Sequence, residues 1–425
     1  MTWNAYAIVI LVALVAGNLL DLVGDLLNLR SLDPELPEEF CGDGNEDAYA
    51  RSQSYTRVRT RFGIVHTAFD LAVLLSLWFT GGFGWLSDWA RGLGFGAVST
   101  GLLFIGTLAL GSRLLALPFQ LYSVFVIEER FGFNRTSHAT FWTDQLKGVV
   151  LTLLLGGALL AAVLAFLESS GPLAWLWCWA ATTAFMLLAL VIGPTWIMPL
   201  FNKFQPLEEG ELRESLLAYA RSTDFPLEDV YVMDGSKRSS KANAFFTGFG
   251  GNKRVALFDT LIAAQTTGEL VAVVAHEIGH YKRRHILQRA FVGIAHLGLL
   301  FWILSLFLDR PGLFAAFGVS EGSVGVGLVF FMILYSPVEL LLSLFGNALS
   351  RRNEYQADEF AARTTGGSQE LISALKKLSA ENLSNLTPHP LYVLLHHSHP
   401  PLQHRIAALR AVAPCAPESP IHEHA

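Results

Sequence analysis

The sequence predicts a mainly α-helical, polytopic membrane protein: seven transmembrane helices carrying an α+β domain on one side of the bilayer. Three observations predict it. Hydrophobic residues form 52% of the 425 and charged residues only 16%, whereas a soluble globular chain carries about a quarter charged; the missing charge points to lipid as solvent. Seven apolar stretches reach the ~20 residues that a helix needs to cross the hydrocarbon core. Lys and Arg gather on alternate connections between them, as cytoplasmic enrichment of positive charge requires.

The spans run over residues 6–27, 64–86, 97–127, 148–167, 174–201, 286–308 and 324–349. No Lys or Arg precedes the first and no small-residue cleavage site follows it, so it is expected to be a retained span and not a cleaved signal peptide. The third and fifth are long enough to tilt or project from the bilayer, and Pro118, Pro194 and Pro199 mark kinks or ends. The connection after span one holds Arg30, Arg51, Arg57, Arg59 and Arg61, and that after span three Arg130, Arg135 and Lys147. The long segment after span five holds Lys237, Arg238, Lys241, Lys253, Arg254, Lys282, Arg283 and Arg284, and the C-terminal part Arg351, Arg352, Lys376 and Lys377. The opposite connections offer Arg91 and Arg310. This asymmetry places the N-terminus outside and the C-terminus and large loop in the cytoplasm.

Residues 1–201 therefore form spans one to five with their loops, and 286–350 form spans six and seven. Residues 202–285 and 351–413 are the two parts of the extramembrane domain, and 414–425 a disordered tail. The first part reads as a helix over 210–221, a strand over 230–233, a turn at Asp234-Gly235-Ser236, an extended segment over 242–248, a strand over 254–258 and a helix through His280. The second reads as helical to residue 384, then a Pro/His-rich loop and a short helix over 401–412. Neither part alone would bury much core; spans six and seven bring them together. His422 and His424 belong to the solvated tail. Cys41, Cys178 and Cys415 lie far apart without metal spacing and are expected to be packing residues. A net charge of −6 and the lack of a basic, aromatic-interleaved run exclude a nucleic-acid partner.

Val273-Val274-Ala275-His276-Glu277-Ile278-Gly279-His280 is an HExxH motif on a predicted helix. Spacing i, i+4 puts His276 and His280 on one face, one turn apart, where both imidazoles can reach a single Zn²⁺. Glu277 projects close by, able to take a proton from the attacking water. Hydrolytic zinc usually has three protein ligands, and Asn353-Glu354-Tyr355-Gln356-Ala357-Asp358 puts Glu354 and Asp358 on one helix face. Glu354 would complete a His₂Glu set, and Asp358 is spaced to fix the tautomer of a ligand histidine. Solvent-facing histidines and a solvated acidic helix face are the plain alternatives.

Beyond the zinc motif, the chain resembles the type I CAAX prenyl proteases, integral-membrane gluzincins that process prenylated proteins. Leu117-Pro118 and Phe125-Val126-Ile127-Glu128-Glu129-Arg130-Phe131-Gly132-Phe133-Asn134 are similar to the family's signature after the third span. Asp234-Gly235-Ser236-Lys237-Arg238-Ser239-Ser240, followed by Asn243-Ala244-Phe245-Phe246, resembles its segment upstream of the zinc helix. The Ser350–Asp358 stretch and His399-Pro400-Pro401 with Arg405 resemble its third-ligand and C-terminal motifs. The resemblance implies seven helices around a water-filled chamber and a cytoplasmic gluzincin-like α+β zinc protease domain. It implies that Asn243 and Ala244 lie on an edge strand that pairs with substrate backbone, and that His399 and Arg405 stabilise the oxyanion and brace the site. Lys241 departs from the small polar or His residue common there. His285, His396 and His397 are set aside as bystanders.

These expectations converge on a metalloendopeptidase with one Zn²⁺ per chain, acting on a peptide or protein substrate, prenylated or not, in contact with membrane lipid. A monomer is compatible with the sequence. A polytopic transporter or channel would explain ionisable residues in or near spans, such as Asp21, Asp25, Asp70, His296 and Glu339, but leaves HExxH and Glu354 unexplained. In an intramembrane site-2 protease the zinc helix is embedded, whereas Lys282, Arg283 and Arg284 follow His280 here. Leu/Ala/Arg-rich, Lys-poor usage favours a bacterial cytoplasmic membrane, or the endoplasmic reticulum if the chain is eukaryotic.

Overall fold

The computed structural model describes residues 2–41, 46–247 and 253–412. The N-terminal half contains α1 (Ala5–Arg30), α2 (Glu46–Phe79), α3 (Gly82–Gly92), α4 (Ala97–Tyr122), α5 (His138–Leu151), α6 (Gly157–Ser169), α7 (Ala174–Ile192) and α8 (Met198–Phe201). Then come β1 (Phe204–Pro206), α9 (Glu211–Ser222), β2 (Leu227–Met233), β3 (Ala244–Thr247), β4 (Lys253–Phe258), α10 (Asp259–Ala264) and α11 (Thr267–Lys282). The C-terminal part is α12 (His285–Phe307), α13 (Pro311–Ala316), α14 (Val324–Thr364), α15 (Gln369–Glu381), α16 (Pro390–His396) and α17 (Leu402–Ala411). The tail with Cys415, His422 and His424 lies outside the described residues, as does residue 248 of the expected extended segment.

Seven helical stretches are long and apolar enough to cross a membrane: Ala5–Arg30, Glu46–Phe79, Ala97–Glu128, His138–Ser169, Gly171–Phe201, His285–Phe307 and Val324–Thr364. The expected second span, 64–86, is corrected at its end. The helix stops at Phe79, the chain turns through Gly81 at φ 78°, and Gly82–Gly92 is a separate helix. Only a glycine adopts that left-handed turn without a steric cost. Of the prolines, Pro118 lies inside α4 shortly before a π-helical turn (Ser123–Glu128), Pro194 lies in another (Gly193–Ile197), and Pro199 lies in the short α8 that ends the fifth stretch. Removing an N–H donor makes such register changes cheap.

The 41 residues of α14 extend about 60 Å at 1.5 Å per residue, twice the hydrocarbon thickness. Its second half therefore stands clear of the bilayer and carries Glu354 and Asp358 into the extramembrane domain. Three of the acids in or near the spans have histidine partners that the sequence did not reveal. Asp70 approaches His66 (3.6 Å), Glu339 approaches His296 (3.0 Å) and Asp21 approaches His396 (3.9 Å), yet each acid keeps 44–61% of its side chain exposed.

The domain's sheet has the order β1-β2-β4-β3. Strand β2 is antiparallel to β1 and parallel to β4, and β3 is antiparallel to β4, so β3 is an edge. One apolar core joins the two separated pieces of sequence: Leu216, Val230, Leu257, Val274 and Ile278 pack with Ala361, Leu371, Ala374 and Ile406. The junction of α11 with α14 is close. A Cβ on Gly279 would lie 3.1 Å from both the Cα and the carbonyl oxygen of Ala357, so glycine is what allows the two helices to approach at this point. That approach sets the HExxH face against Glu354.

Candidate metal centre

The helix expected to run unbroken from β4 through His280 is two helices, parted at Gln265-Thr266. Thr266 caps α11: its Oγ1 accepts from Glu269 N (3.3 Å), while Glu269 Oε2 accepts from Thr266 N (2.8 Å). This T-x-x-E capping box satisfies two otherwise orphaned donors. Buried Glu269 also accepts from Lys377 Nζ (2.7 Å) and Ser373 Oγ (2.5 Å), tying the start of α11 to α15. Burial opposes its charge, but Lys377, Ser373 and the cap hold its carboxyl below the usual range.

From α11, His276 and His280 turn their Nε2 atoms toward each other (3.1 Å) and toward the Glu354 carboxylate, at 3.4 and 3.3 Å. All three side chains are buried, Glu354 to 4% exposure, and one ligand atom from each lies within 4.8 Å of the others. The chemistry of the set fits a cation. His276 Nδ1 lies 2.8 Å from Asp358 Oδ1, which holds the ring with Nε2 turned toward Glu354, where a metal ion would displace the Nε2 proton. Glu354 Oε2 is a buried oxygen with no aligned hydrogen bond. Burial disfavours charge on His276, but Asp358 and Glu354 override it and raise its pKa to about 9. The cluster thus attracts a cation, a proton or a metal, to this point.

The sequence set His285 aside; the structure corrects this. His285 is 1% exposed, its Nδ1 lies 2.9 Å from His280 Nδ1, and its Nε2 lies 3.0 Å from Gln356 Oε1. Because an amide oxygen only accepts, the proton of His285 is assigned to Nε2, and His285 Nδ1 then accepts from His280 Nδ1–H. The chain Gln356–His285–His280 leaves His280 Nε2 unprotonated. The local signal that could have found it is modest: a histidine five residues after His280, at the start of the next helix.

Asp358, 1% exposed, binds Arg405 through two bonds, from Nε (2.8 Å) and Nη2 (2.6 Å). Arg405 Nη1 also approaches Glu354 Oε2 at 3.7 Å. Burial works against the guanidinium's charge, yet Asp358 and Glu354 hold its pKa above the ordinary value. Its main contact is therefore with the carboxylates that surround the histidines. His399 reaches Glu354 Oε2 through Nδ1 (2.9 Å), with 65% of its side chain exposed. Glu277 is partly exposed.

Asn243 precedes β3, and its carbonyl accepts from Phe258 N (3.1 Å). It therefore faces β4, while Ala242 and Ala244 turn their backbone groups to the other side, where the Ala244 N–H donates to the exposed Asn243 Oδ1 (2.9 Å). The Asn382 side chain occupies both groups of Ala242, with Oδ1 accepting from its N (3.0 Å) and Nδ2 donating to its O (3.2 Å). Lys241, the departure noted above, bonds Glu128 (2.8 Å) and Tyr55 OH (2.7 Å) and lies over the Phe133 ring. Burial pulls its pKa down, against Glu128. The two upstream motifs meet here: Ser240 N donates to Phe133 O, and Arg135 N to Arg238 O. His396 and His397 stand apart from the cluster, lining the adjoining cavities.

Comparison with known proteins accords with this geometry. Residues 25–203 match a family model described as "CAAX prenyl protease N-terminal, five membrane helices", and residues 206–413 one described as "Peptidase family M48". The chain is 37% identical to a rice (Oryza sativa) CAAX prenyl protease 1 homolog, covering 91% of this chain and 92% of that one. It is 35% identical to CAAX prenyl protease 1 of Saccharomyces cerevisiae, covering 91% and 90%. The fold is similar to the crystal structure of S. mikatae Ste24p, with a TM-score of 0.91 and 32% identity over 96% of this chain and 100% of that one.

Proposed function

Because the chain belongs to the CAAX prenyl protease 1 family of M48 membrane metallopeptidases, we propose that it is a zinc metalloendopeptidase for the C-terminal processing of prenylated or related membrane-associated proteins. The observation that carries this is the convergence of His276 Nε2, His280 Nε2 and a buried Glu354 carboxylate. These three would hold one Zn²⁺ per chain, a donor set that leaves a position open for catalysis. When bound, the ion supplies Lewis acidity toward the scissile carbonyl and the attacking water.

The remaining steps fall to this chain's own groups. Glu277 takes a proton from the water and later passes it to the leaving amine. Asp358 orients His276, with Arg405 holding Asp358 in place, and the His285–Gln356 pair does the same for His280. Exposed His399 donates to the oxyanion that develops on the carbonyl. Substrate adds as a strand beside Ala244, with Asn243 at the entry, so backbone pairing supplies much of the binding and varied side chains are tolerated.

In this reading the membrane helices enclose a water-filled chamber. Its support is that Asp21, Asp70 and Glu339 remain about half exposed, a costly state against acyl chains. The metal centre faces the cytoplasm. Residue usage favours a bacterial cytoplasmic membrane, with the endoplasmic reticulum as the site in a eukaryote.

The test is zinc content and peptide cleavage together. Glu277→Ala should abolish cleavage yet keep about one zinc per chain, because the glutamate is base and not ligand; His280→Ala should lose both. A few per cent of residual activity in Glu277→Ala would show the assigned base to be wrong.

A further inference from the structure

Beside the edge strand, the groove containing Asn243, His399 and Arg405 encloses about 510 Å³. It shares Asn382, Ser384, Asn385 and His397 with a second, more polar cavity of about 590 Å³. The second cavity is walled by α1 (Asp25, Asn28), α2 (Tyr55, Arg59) and Lys241. A peptide that pairs with Ala244 has only the exposed, neighbouring Asn243 Oδ1 to displace from its N–H, but it cannot continue along the edge past Ala242, whose N–H and C=O are both taken by the distant Asn382 side chain. It must leave the sheet there, at the mouth of this cavity.

The charges of that wall are unevenly matched. Lys241 is committed to Glu128, and nearby Arg238 and Arg405 each hold a carboxylate through two bonds. Arg59 is exposed. Its Nη1 donates at 3.3 Å to Tyr55 OH, and its guanidinium lies over the Tyr55 ring at 5.4 Å. Among the described residues it has no carboxylate partner. Asp25 lines the same cavity without pairing to it. A guanidinium held over an aromatic ring, with the donors beyond that one bond unspent, is preorganised for a carboxylate.

Resting on the peptidase reading above, we propose that Arg59 receives the free C-terminal carboxylate of the substrate peptide. Asn28, whose Oδ1 is already taken by Asn385 and His389 N, would offer its amide N–H₂ to the same carboxylate. Prenyl contact, by contrast, is left to another surface, because this cavity is not apolar.

The zinc-loaded full chain in detergent is titrated with a fluorescent-labelled tripeptide, Val-Ile-Ala, as the free acid and as the C-terminal amide. The acid should bind about ten- to a hundredfold more tightly, the range of a charge-assisted hydrogen-bonded contact. Arg59→Gln should bind acid and amide alike, at the amide's affinity, and Arg59→Lys should recover part of the preference. Equal binding of acid and amide by the unaltered protein would overturn the proposal without recourse to any variant, as would an intact preference in Arg59→Gln. Displacement of the acid by an anionic phospholipid, with no preference over the amide, would assign the site to a headgroup and overturn it equally. A protein that binds the acid selectively but cleaves no peptide would sink the peptidase reading and leave this one standing.

Discussion

Asp358→Asn tests how much of the metal centre depends on a residue that touches no metal. The substitution keeps shape and volume but removes one charge from a buried network. In the structure that charge faces His276 Nδ1 at 2.8 Å and Arg405 through bonds of 2.6 and 2.8 Å. Oδ1 faces both His276 Nδ1 and Arg405 Nη2, so an amide oxygen there keeps both partners without the charge, while the amide N–H₂ is set against the Arg405 Nε–H that Oδ2 now accepts. One charge-assisted contact is lost, about 1.5–3 kcal/mol, which corresponds to about ten- to a hundredfold in an equilibrium constant. Loss of an orienting partner costs metal sites a similar factor. Zinc affinity, measured by competition with a chromogenic chelator at pH 7.5, should therefore weaken by about 10–100-fold. Arg405, left without its paired carboxylate, should also lower the thermal midpoint of the metal-free protein, because breaking a buried pair costs about 3–5 kcal/mol. The two readouts separate the roles. Unchanged zinc affinity with a lowered midpoint would refute orientation of His276 and leave Asp358 as a structural partner of Arg405 alone.

His285→Phe removes the acceptor for His280 Nδ1 while keeping the bulk of the ring, and zinc affinity should fall about tenfold; an affinity matching the unaltered protein would mean that α11 alone orients His280. The raised pKa of His276, about 9 against 6.5, contributes stability to the metal-free protein that is fully present below pH 6.5 and lost as pH rises through about 9. At 1.36 kcal/mol per pH unit this amounts to about 3 kcal/mol. Metal-free protein should thus lose thermal stability across that window, whereas zinc-loaded protein, whose ring nitrogen is occupied, should not; a flat metal-free profile would contradict the electrostatic account. Cysteines introduced at Ser170 and Ser320, after replacement of the native ones, should react with an impermeant reagent from the outer face, and one at Glu208 only from the cytoplasmic face. Cytoplasmic labelling at Ser320 would invert spans six and seven and part His276 from Glu354.

The sequence by itself determined the span count, the two histidine ligand candidates, Glu354 and Asp358. Each of these is a local property. Apolarity over ~20 residues is read within one segment, and i, i+4 spacing places two side chains on one face whatever the helix packs against. The ends of elements were less legible. Span two stops at Phe79 because Gly81 turns left-handed, and Thr266 starts a new helix where the sequence suggested continuity. What only the tertiary structure decided are the contacts between distant segments. Gly279 lets α11 meet Ala357, His285 and Gln356 fix His280, Asn382 closes the edge at Ala242, and Lys241 finds Glu128 across 113 residues. No periodicity encodes these pairings, because they arise only when helices dock, and docking is set by the summed packing of the whole core. The motifs therefore named the candidate residues, while the fold decided which neighbours hold them in place.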